Sequence, residues 1–406
     1  MLSENSRFVI YNYILREHII NQNNILSILS GADIGGSCYL LELYNTRILF
    51  DCGIRVGSAY TDHPDIPSPE TIDAIFISHA HLDHMGAIAY TAAVCKNAKI
   101  YMTEQTKEFV QYQLAATIAE YIGADTDDLR FHNRILCELI MNRIQTIQYR
   151  EKVCFQTLNG QKCYFSMFHA GHVPGAAMVY LQIRDKTVLY TGDFAAYDTS
   201  LTYPYSLPAG IKPEIMILCG THANNPDYEV YNQNALSNAV NRMYDALSRN
   251  SKFVIPVSQL TKGLEILAML EDMISMNEFP KSQIYLEPNL WELARYYERT
   301  SETFRLPDYI RPLSEWRNNN RPVNPIIVFE HTGCDMTQYP NHTRVNADFT
   351  LHADYQDLID FIYEVNPSQV YIVHVAEGEG ALHKETLNPN LKRMIYTENQ
   401  AVYEII

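Results

Sequence analysis

Short apolar runs closed by turn residues recur along the chain and predict a globular protein built mainly of strands and helices. The run at 74–77 is typical of a buried strand, and a helical pattern begins at 85–88. The strands predicted in this way cover residues 25–29, 38–43, 46–50, 74–77, 99–102, 162–168, 178–183, 187–190, 214–218, 253–256, 284–286, 326–329 and 369–373.

Helical spacing of apolar positions is clearest in 104–149, which predicts two or more helices broken near 123–127. Further helices are predicted at 232–247, 263–274, 290–297 and 355–363. Strands and helices alternate between 214 and 297, which indicates a second, smaller α/β unit with a parallel sheet. Residues 307–325 are predicted as an irregular connection, and residues 1–24 as a variable N-terminal extension.

Four ligand-type residues, His79, His81, Asp83 and His84, follow the apolar run at 74–77 within six positions. In an extended backbone, residues i and i+2 point to the same side, so His79 and His81 face one way. Asp83 and His84 are expected on the turn into the next helix, within reach of a neighbouring point. Imidazoles with a carboxylate suit zinc or a similar divalent ion. The alternative is a set of polar surface residues at a loop.

Other predicted strands also end in a histidine or an aspartate, namely at Asp51, His172, Asp193 and His374. In α/β sheets, functional groups collect where strands end, so these residues are expected at one rim. Taken alone, each is usually a turn residue or a hydrogen-bonded core side chain. Together with the cluster at 79–84 they predict a site for two metal ions.

The composition is that of an ordinary globular protein, with 47% hydrophobic and 19% charged residues in 406 positions, enough for one large domain or two moderate ones. A net charge of -16 argues against broad attraction to nucleic acid but leaves a local basic cleft open. The eight cysteines form no C-x-x-C pair and are expected to be reduced. Because no signal peptide or membrane span is recognisable, a soluble, cytoplasmic protein is expected.

The motifs together resemble the metallo-β-lactamase fold, whose H-x-H-x-D-H signature stands at 79–84. The segments 171–178, 253–265 and 349–354, with His374, are similar to motifs of its β-CASP branch, which includes ribonuclease J and the messenger RNA 3′-end-processing endonuclease. The resemblance implies an α/β fold, a metallo-β-lactamase αββα sandwich with an inserted β-CASP α/β domain. It also implies the boundaries 1–205 and 345–406 for the two parts of the sandwich and 206–344 for the insertion.

The same resemblance implies two zinc ions, with manganese as the alternative. One ion would be held by His79, His81 and His172, the other by Asp83, His84 and His374, with Asp193 bridging them. Asp51 would orient a ligand histidine.

Catalysis is implied as well. Asp83 and Asp193 would serve through the metal ions, His352 would be the general acid, and Thr350 and Gly175 would lie near the substrate phosphate. In this branch a histidine at the position of His374 goes with RNA substrates.

Cys219 departs from the family pattern, because an acid is expected at that position to orient His352. Three interpretations stay open: a packed thiol in a weakened or inactive enzyme, activity through another partner such as His222, or a soft metal ligand. The segment between 325 and 352 is also shorter than usual, so the substrate groove is expected to differ in shape.

The leading hypothesis is a zinc-dependent phosphodiesterase of the β-CASP type that hydrolyses RNA through a hydroxide activated by two metal ions. Cys219 and the acidic charge motivate a second hypothesis, an attenuated homologue that binds nucleic acid or a partner protein. A third is a small-molecule hydrolase of the same superfamily, against which the inserted unit and the 349–354 motif argue. Single-stranded nucleic acid, a homo-oligomer and a protein partner are the binding partners left open.

Overall fold

The computed structural model describes residues 24–55, 63–122, 127–226, 232–249, 251–257, 260–301, 304–318, 326–331, 333–346, 349–383 and 390–406. These residues form two compact units. The first comprises those within Met1–Tyr197, Pro204–Tyr228 and His352–Ile406, and the second those within Asp198–Tyr203 and Glu229–Leu351. The predicted domain boundaries, after residues 205 and 344, are not tested by this division into two units and stay a prediction. The predicted N-terminal extension lies outside the described residues, except for Asn24, and so does most of the helix break at 123–127.

Two seven-stranded sheets make up the first unit. The first sheet has the order β19-β1-β2-β3-β4-β5-β6 and consists of Asn24–Ser30 (β1), Cys38–Leu43 (β2), Thr46–Phe50 (β3), Ala74–Phe76 (β4), Lys99–Met102 (β5), Ile144–Thr146 (β6) and Val402–Glu404 (β19). Its pairs from β19 to β3 are antiparallel, and its pairs from β3 to β6 are parallel.

The second sheet has the order β18-β17-β11-β10-β9-β8-β7. Its strands are Val153–Gln156 (β7), Lys162–His169 (β8), Ala177–Ile183 (β9), Lys186–Tyr190 (β10), Ile215–Cys219 (β11), Gln369–Val373 (β17) and Arg393–Tyr396 (β18). Strands β10, β11, β17 and β18 run parallel, so their carboxyl ends lie along one edge.

One apolar core joins the two sheets and draws buried side chains from both, including Tyr39, Phe50 and Phe76 from the first sheet and Phe165 and Tyr190 from the second. Aromatic rings contact each other across it, as the ring centroids of Phe50 and Tyr190 lie 4.9 Å apart. Burying such large side chains is the main favourable contribution to holding two sheets face to face. This shared core therefore also fixes the positions of the strand ends at the rims of both sheets.

Helices of the first unit lie between these strands in the sequence, namely Leu82–Met85 (α1), Ile88–Val94 (α2), Glu104–Ile122 (α3), Asp127–Arg143 (α4) and Tyr355–Val365 (α9). Helix α9 begins with a capping box in which the Asp354 and Asp357 side chains accept from each other's backbone N–H groups. It buries Leu358, Phe361 and Ile362. The helix is therefore fixed at both its start and its apolar face. No helix among the described residues is both long enough and apolar enough to cross a membrane.

The second unit contains a five-stranded, all-parallel sheet of order β14-β13-β15-β12-β16. Its strands are Lys252–Val257 (β12), Gln283–Leu286 (β13), Ile310–Pro312 (β14), Ile326–His331 (β15) and His342–Arg344 (β16). Its helices are Asn232–Ser248 (α5), Leu260–Ser275 (α6), Pro288–Thr300 (α7) and Leu313–Asn318 (α8). The predicted fold, a sandwich with a separate parallel α/β unit, is confirmed.

The prediction of an irregular connection at 307–325 is wrong for its middle part. Ile310–Pro312 is a strand, Leu313–Asn318 is a helix, and Trp316 is 1% exposed. The proline and asparagine content hid this element, because strand and helix together span only nine residues. Residues 319–325 of the same stretch lie outside the described part of the chain.

Candidate metal centre

The centre is built where strands of both sheets of the first unit end. Asp51 follows β3, and its N–H donates to the carbonyl of Phe76 on the parallel strand β4 at 2.9 Å. Asp193 follows β10, and His374 follows β17 with a positive φ of 55°. Asp51 also has a positive φ, of 56°, a conformation that aspartate and histidine adopt more readily than most side chains.

Asp83 and His84 lie in helix α1 itself, not on the turn before the helix that was predicted from the sequence. Backbone hydrogen bonds fix this short helix, since Cys52 donates to the His84 carbonyl at 2.8 Å and Ser37 donates to the Asp83 carbonyl at 2.6 Å. Gly53 is required here, because a Cβ atom at this position would lie 1.8 Å from the Asp83 carbonyl oxygen.

Four of the predicted ligands form one group. One ligand atom from each of His79, His81, His172 and Asp193 lies within 4.8 Å of the others. His81 Nδ1 is 3.0 Å from His79 Nε2 and 3.2 Å from His172 Nε2. Donor atoms bound to one tetrahedral zinc at about 2.0–2.1 Å would be roughly 3.3 Å apart. The spacing of these ring nitrogens is close to that value.

Asp83, His84 and His374 form the second group, within the same 4.8 Å limit. His374 Nε2 lies 3.8 Å from Asp83 Oδ2. Asp193 Oδ2 links both groups, because it is 3.3 Å from His84 Nε2 and 3.8 Å from His374 Nε2 on one side. On the other side it lies 3.9 Å from His79 Nε2. A single carboxylate oxygen thus faces histidines of both groups.

Three buried histidines each point one ring nitrogen toward the centre. The other ring nitrogen of each forms a hydrogen bond with a neighbouring side chain. His84 Nδ1 is 2.7 Å from Asp51 Oδ2, His79 Nδ1 is 3.0 Å from Ser78 Oγ, and His374 Nδ1 is 3.0 Å from Ser37 Oγ. Such contacts hold the rings and their tautomers in the form that a metal ion needs.

Asp51 is fully buried and is itself held by several donors. Its Oδ2 accepts from the Tyr190 hydroxyl at 2.5 Å and the Ser78 hydroxyl at 2.7 Å, in addition to His84. Its Oδ1 accepts from the Ser78 N–H at 2.7 Å. The carboxylate therefore anchors both His84, directly, and His79, through Ser78.

The buried charges favour a cation at the centre. Burial alone would raise the pKa of Asp193, but His374, His84 and His352 outweigh it and hold that pKa well below its usual value. Burial alone would lower the pKa of His84, but Asp193 and Asp51 outweigh it and raise that pKa well above its usual value. Burial and the neighbouring His84, His81 and His172 lower the pKa of His79.

Two buried atoms of the centre, His84 Nε2 and Asp193 Oδ1, have no hydrogen-bond partner among the described residues. His84 Nε2 lies 3.3 Å from Asp193 Oδ2, close enough for a strong charge interaction. Unpaired polar atoms are expensive in a dry interior. The donor set, nitrogen-rich with carboxylates, fits zinc or a similar divalent ion.

His352, the predicted general acid, lies beside this centre. Its Nδ1 is 3.6 Å from Asp193 Oδ2, and its ring centroid is 4.5 Å from that of His172. Burial lowers the pKa of His352 well below its usual value; Asp193 opposes this shift, and His172, His374 and His222 add to it.

Cys219 is buried in the apolar core between the sheets. Its N–H donates to Thr191 Oγ1 at 3.0 Å, and its Sγ is 3.9 Å from the Tyr190 hydroxyl. Burial raises the pKa of this thiol well above its usual value. Among the described residues, Cys219 belongs to neither group of converging ligand atoms.

The remaining predicted residues are placed as follows. Gly175, with a φ of 87°, turns its carbonyl to the Thr103 and Thr106 hydroxyls, at 2.7 and 2.8 Å. Thr350 is buried in the second unit. His222 has its ring centroid 6.2 Å from that of His352.

Four side chains that contact residues of the predicted site were not identified from the sequence, namely Ser37, Ser78, Tyr190 and Thr221, whose hydroxyl lies 3.2 Å from His352 Nδ1. Ser78 directly precedes His79, which is the one local signal among them. The others lie far from their partners along the chain, as the 337 positions between Ser37 and His374 show.

Two face-to-face sheets that carry a rim of histidines and aspartates define a metallo-β-lactamase domain. Residues 31–216 match the family model of the Metallo-beta-lactamase superfamily. A crystal structure of a protein of unknown function from Enterococcus faecalis V583 has the same fold, with a TM-score of 0.58 and 15% identity. It covers 94% of this chain and 100% of that one.

Similarity to relatives whose names state a function narrows the superfamily to one of its branches. The chain is 28% identical over 312 residues to Cleavage and polyadenylation specificity factor 73 of Drosophila melanogaster. The aligned segment covers 74% of this chain and 42% of the relative. The chain is 28% identical over 276 residues to Endoribonuclease YSH1 of Yarrowia lipolytica, covering 66% of this chain and 30% of the relative. The chain thus spans less than half the length of these two relatives. The predicted resemblance to the β-CASP branch of the metallo-β-lactamase superfamily is confirmed.

Proposed function

We propose that the protein is a zinc-dependent phosphodiesterase that hydrolyses RNA. The observation that carries the proposal is the convergence of two ligand groups on the shared carboxylate of Asp193. His79, His81 and His172 would hold one ion, and Asp83, His84 and His374 the other. The relative named Endoribonuclease YSH1 supports RNA as the substrate class.

Two bound cations would supply an activated water at neutral pH and positive charge against the reacting phosphoryl group. The protein's own contribution is to hold the ligands rigidly before substrate arrives. Asp51 fixes His84 directly and His79 through Ser78, and Ser37 fixes His374. Preformed charge and geometry of this kind lower the barrier because little reorganisation is left for the reaction itself.

His352 would deliver a proton to the leaving oxygen. Its ring lies beside two residues of the first ligand group, His172 and Asp193. General acid catalysis by a placed histidine typically contributes about 10²–10⁴-fold in rate. The loss expected for His352→Ala lies in that range.

The test is cleavage of a labelled single-stranded RNA by the zinc-loaded protein. Asp83→Asn is expected to abolish cleavage, because it removes a ligand of the second group. Asp308→Asn, an exposed aspartate of the second unit, is the matched control and should cleave like the wild type. Zinc-loaded wild-type protein that leaves RNA, single-stranded DNA and simple phosphodiesters intact would refute the proposal.

A second candidate is an attenuated homologue that binds RNA or a partner protein. The observation that favours it is Cys219, whose hydrogen bonds go to Thr191 and Tyr190 in the core rather than to His352. This candidate predicts RNA binding in a gel-shift or anisotropy measurement with full zinc occupancy and without cleavage.

A further inference from the structure

In the family pattern, an acid orients the histidine that corresponds to His352. This chain has Cys219 at the position of that acid, so the pattern does not indicate which group orients His352. A free imidazole beside a reaction site samples several ring positions, so a proton donor needs a partner that fixes it. The side chain at 219, where an acid is expected, points into the apolar core in this structure.

A different side chain contacts His352. The Thr221 hydroxyl lies 3.2 Å from His352 Nδ1, the ring nitrogen that also faces Asp193. Thr221 is 6% exposed, so water does not compete strongly for this contact.

The backbone around Thr221 is itself held in place. Gly220 N–H donates to the Val373 carbonyl at 2.9 Å, and Ala376 N–H donates to the Thr221 carbonyl at 3.0 Å. The turn packs tightly, since a Cβ atom on Gly220 would lie 2.7 Å from Ile372 Cγ2. The segment that carries Thr221 is therefore tied to the end of β17, the strand that also delivers His374.

We infer that Thr221, two residues beyond the position of the missing acid, is the positioning residue for His352. The inference rests on the proposed function for its kinetic consequence but not for the contact itself. Because a hydroxyl is neutral, the hydrogen bond from Thr221 would orient His352 without adding a second negative charge to that of Asp193, whose Oδ2 is 3.6 Å from the same nitrogen. The departure at Cys219 would then change the electrostatics of the proton donor while keeping its placement.

The test compares Thr221→Val, which keeps the shape and removes the hydroxyl, with Thr221→Ser, which keeps the hydroxyl. In the zinc-loaded protein, Thr221→Val should lower kcat on RNA at least about tenfold while KM changes less than about twofold, and Thr221→Ser should stay within about threefold of the wild type. Thr157→Val is the matched control, because Thr157 is also buried and its hydroxyl accepts one hydrogen bond, from Gln161 N–H.

A second measurement does not depend on turnover. The ring ¹⁵N signals of His352, assigned by their loss in His352→Gln, should shift in Thr221→Val and keep their wild-type positions in Thr221→Ser. If Thr221→Val fails to fold, Thr221→Ala also removes the hydroxyl and gives the same comparison with a smaller side chain. Zinc content is measured for every variant, so that a lost metal ion is not mistaken for a lost proton donor.

Unchanged kcat and unchanged His352 signals in Thr221→Val would overturn the inference, as would equal losses in the valine and serine variants. A gain in kcat of more than about tenfold in Cys219→Glu, with Thr221→Val unaffected, would also overturn it, by showing that the acid is the missing partner. A wild-type protein without any cleavage would refute the proposed function instead, and the ¹⁵N comparison would still decide the contact.

Discussion

Replacing Asp51 by asparagine tests whether one buried carboxylate fixes a ligand histidine of each group, His84 directly and His79 through Ser78. Asparagine has nearly the same shape and tolerates the positive φ of 56° at this position. The backbone can therefore stay as it is, and the substitution removes mainly the negative charge and one acceptor oxygen.

The expected magnitude follows from the contacts. Asp51 Oδ2 accepts hydrogen bonds from Tyr190, Ser78 and His84, and an amide NH₂ in its place would face three donors. A hydrogen bond to a charged group contributes roughly 1.5–3 kcal/mol, and removing one partner of a buried charged network costs about 3–5 kcal/mol. Because the three contacts are coupled, a total loss of about 3–5 kcal/mol is expected rather than their sum.

The assays are urea unfolding of the metal-free protein and competitive zinc titration. The site that contains His84 should lose about 10–100-fold in zinc affinity, since the residue that orients its ligand is gone. Tyr190→Phe is the control, because it removes one donor and leaves the carboxylate. An Asp51→Asn protein with native affinity at both sites and a stability within about 1 kcal/mol of the wild type would refute this account of Asp51.

Three further substitutions test other parts of the structure. Ser37→Ala should weaken the zinc site of His374 by about tenfold in the same titration, because its Nδ1 loses a buried partner. Gly53→Ala should lower the zinc content of the purified protein, since its Cβ would collide with the Asp83 carbonyl. Burial raises the pKa of Glu265 from 4.5 to about 7, so its contribution to stability is full below pH 4.5 and is lost as the pH rises through about 7. That loss amounts to about 3 kcal/mol between pH 4.5 and 8, and Glu265→Gln should flatten it in urea unfolding; an equal pH dependence in both proteins would contradict this reasoning.

Much of the fold could be predicted from the sequence, because buried strands and helices leave a clear pattern of apolar positions. Strands β2 and β3 have the predicted bounds, and the turn between them uses Tyr44 and Asn45, both with positive φ. The short strands β6, β7, β14, β16, β18 and β19 were not predicted. They are three or four residues long and mostly half-buried or exposed, so neither alternation nor an apolar run marks them.

The candidate site likewise contains residues that could be predicted from the sequence and residues that could not. The predicted ligands lie at strand ends or in the short helix α1, and the chain positions alone indicated their convergence. Apart from Asp51, the side chains that orient them could not be predicted, because Tyr190 and Ser37 meet their partners only through the packing of the two sheets. Thr221 was missed for a similar reason. The family pattern draws attention to position 219, whereas the hydroxyl that reaches His352 comes two residues later.

The central claim, that Asp193 joins two metal sites, is tested most directly by the metal content of the purified chain. Elemental analysis after zinc loading and desalting should give about two zinc ions per wild-type chain. His84→Ala should retain about one ion, because the group of His79, His81 and His172 remains, while Asp193→Ala should weaken both sites. A wild-type chain that holds less than one zinc ion, or an Asp193→Ala variant that still holds two tightly, would contradict the account.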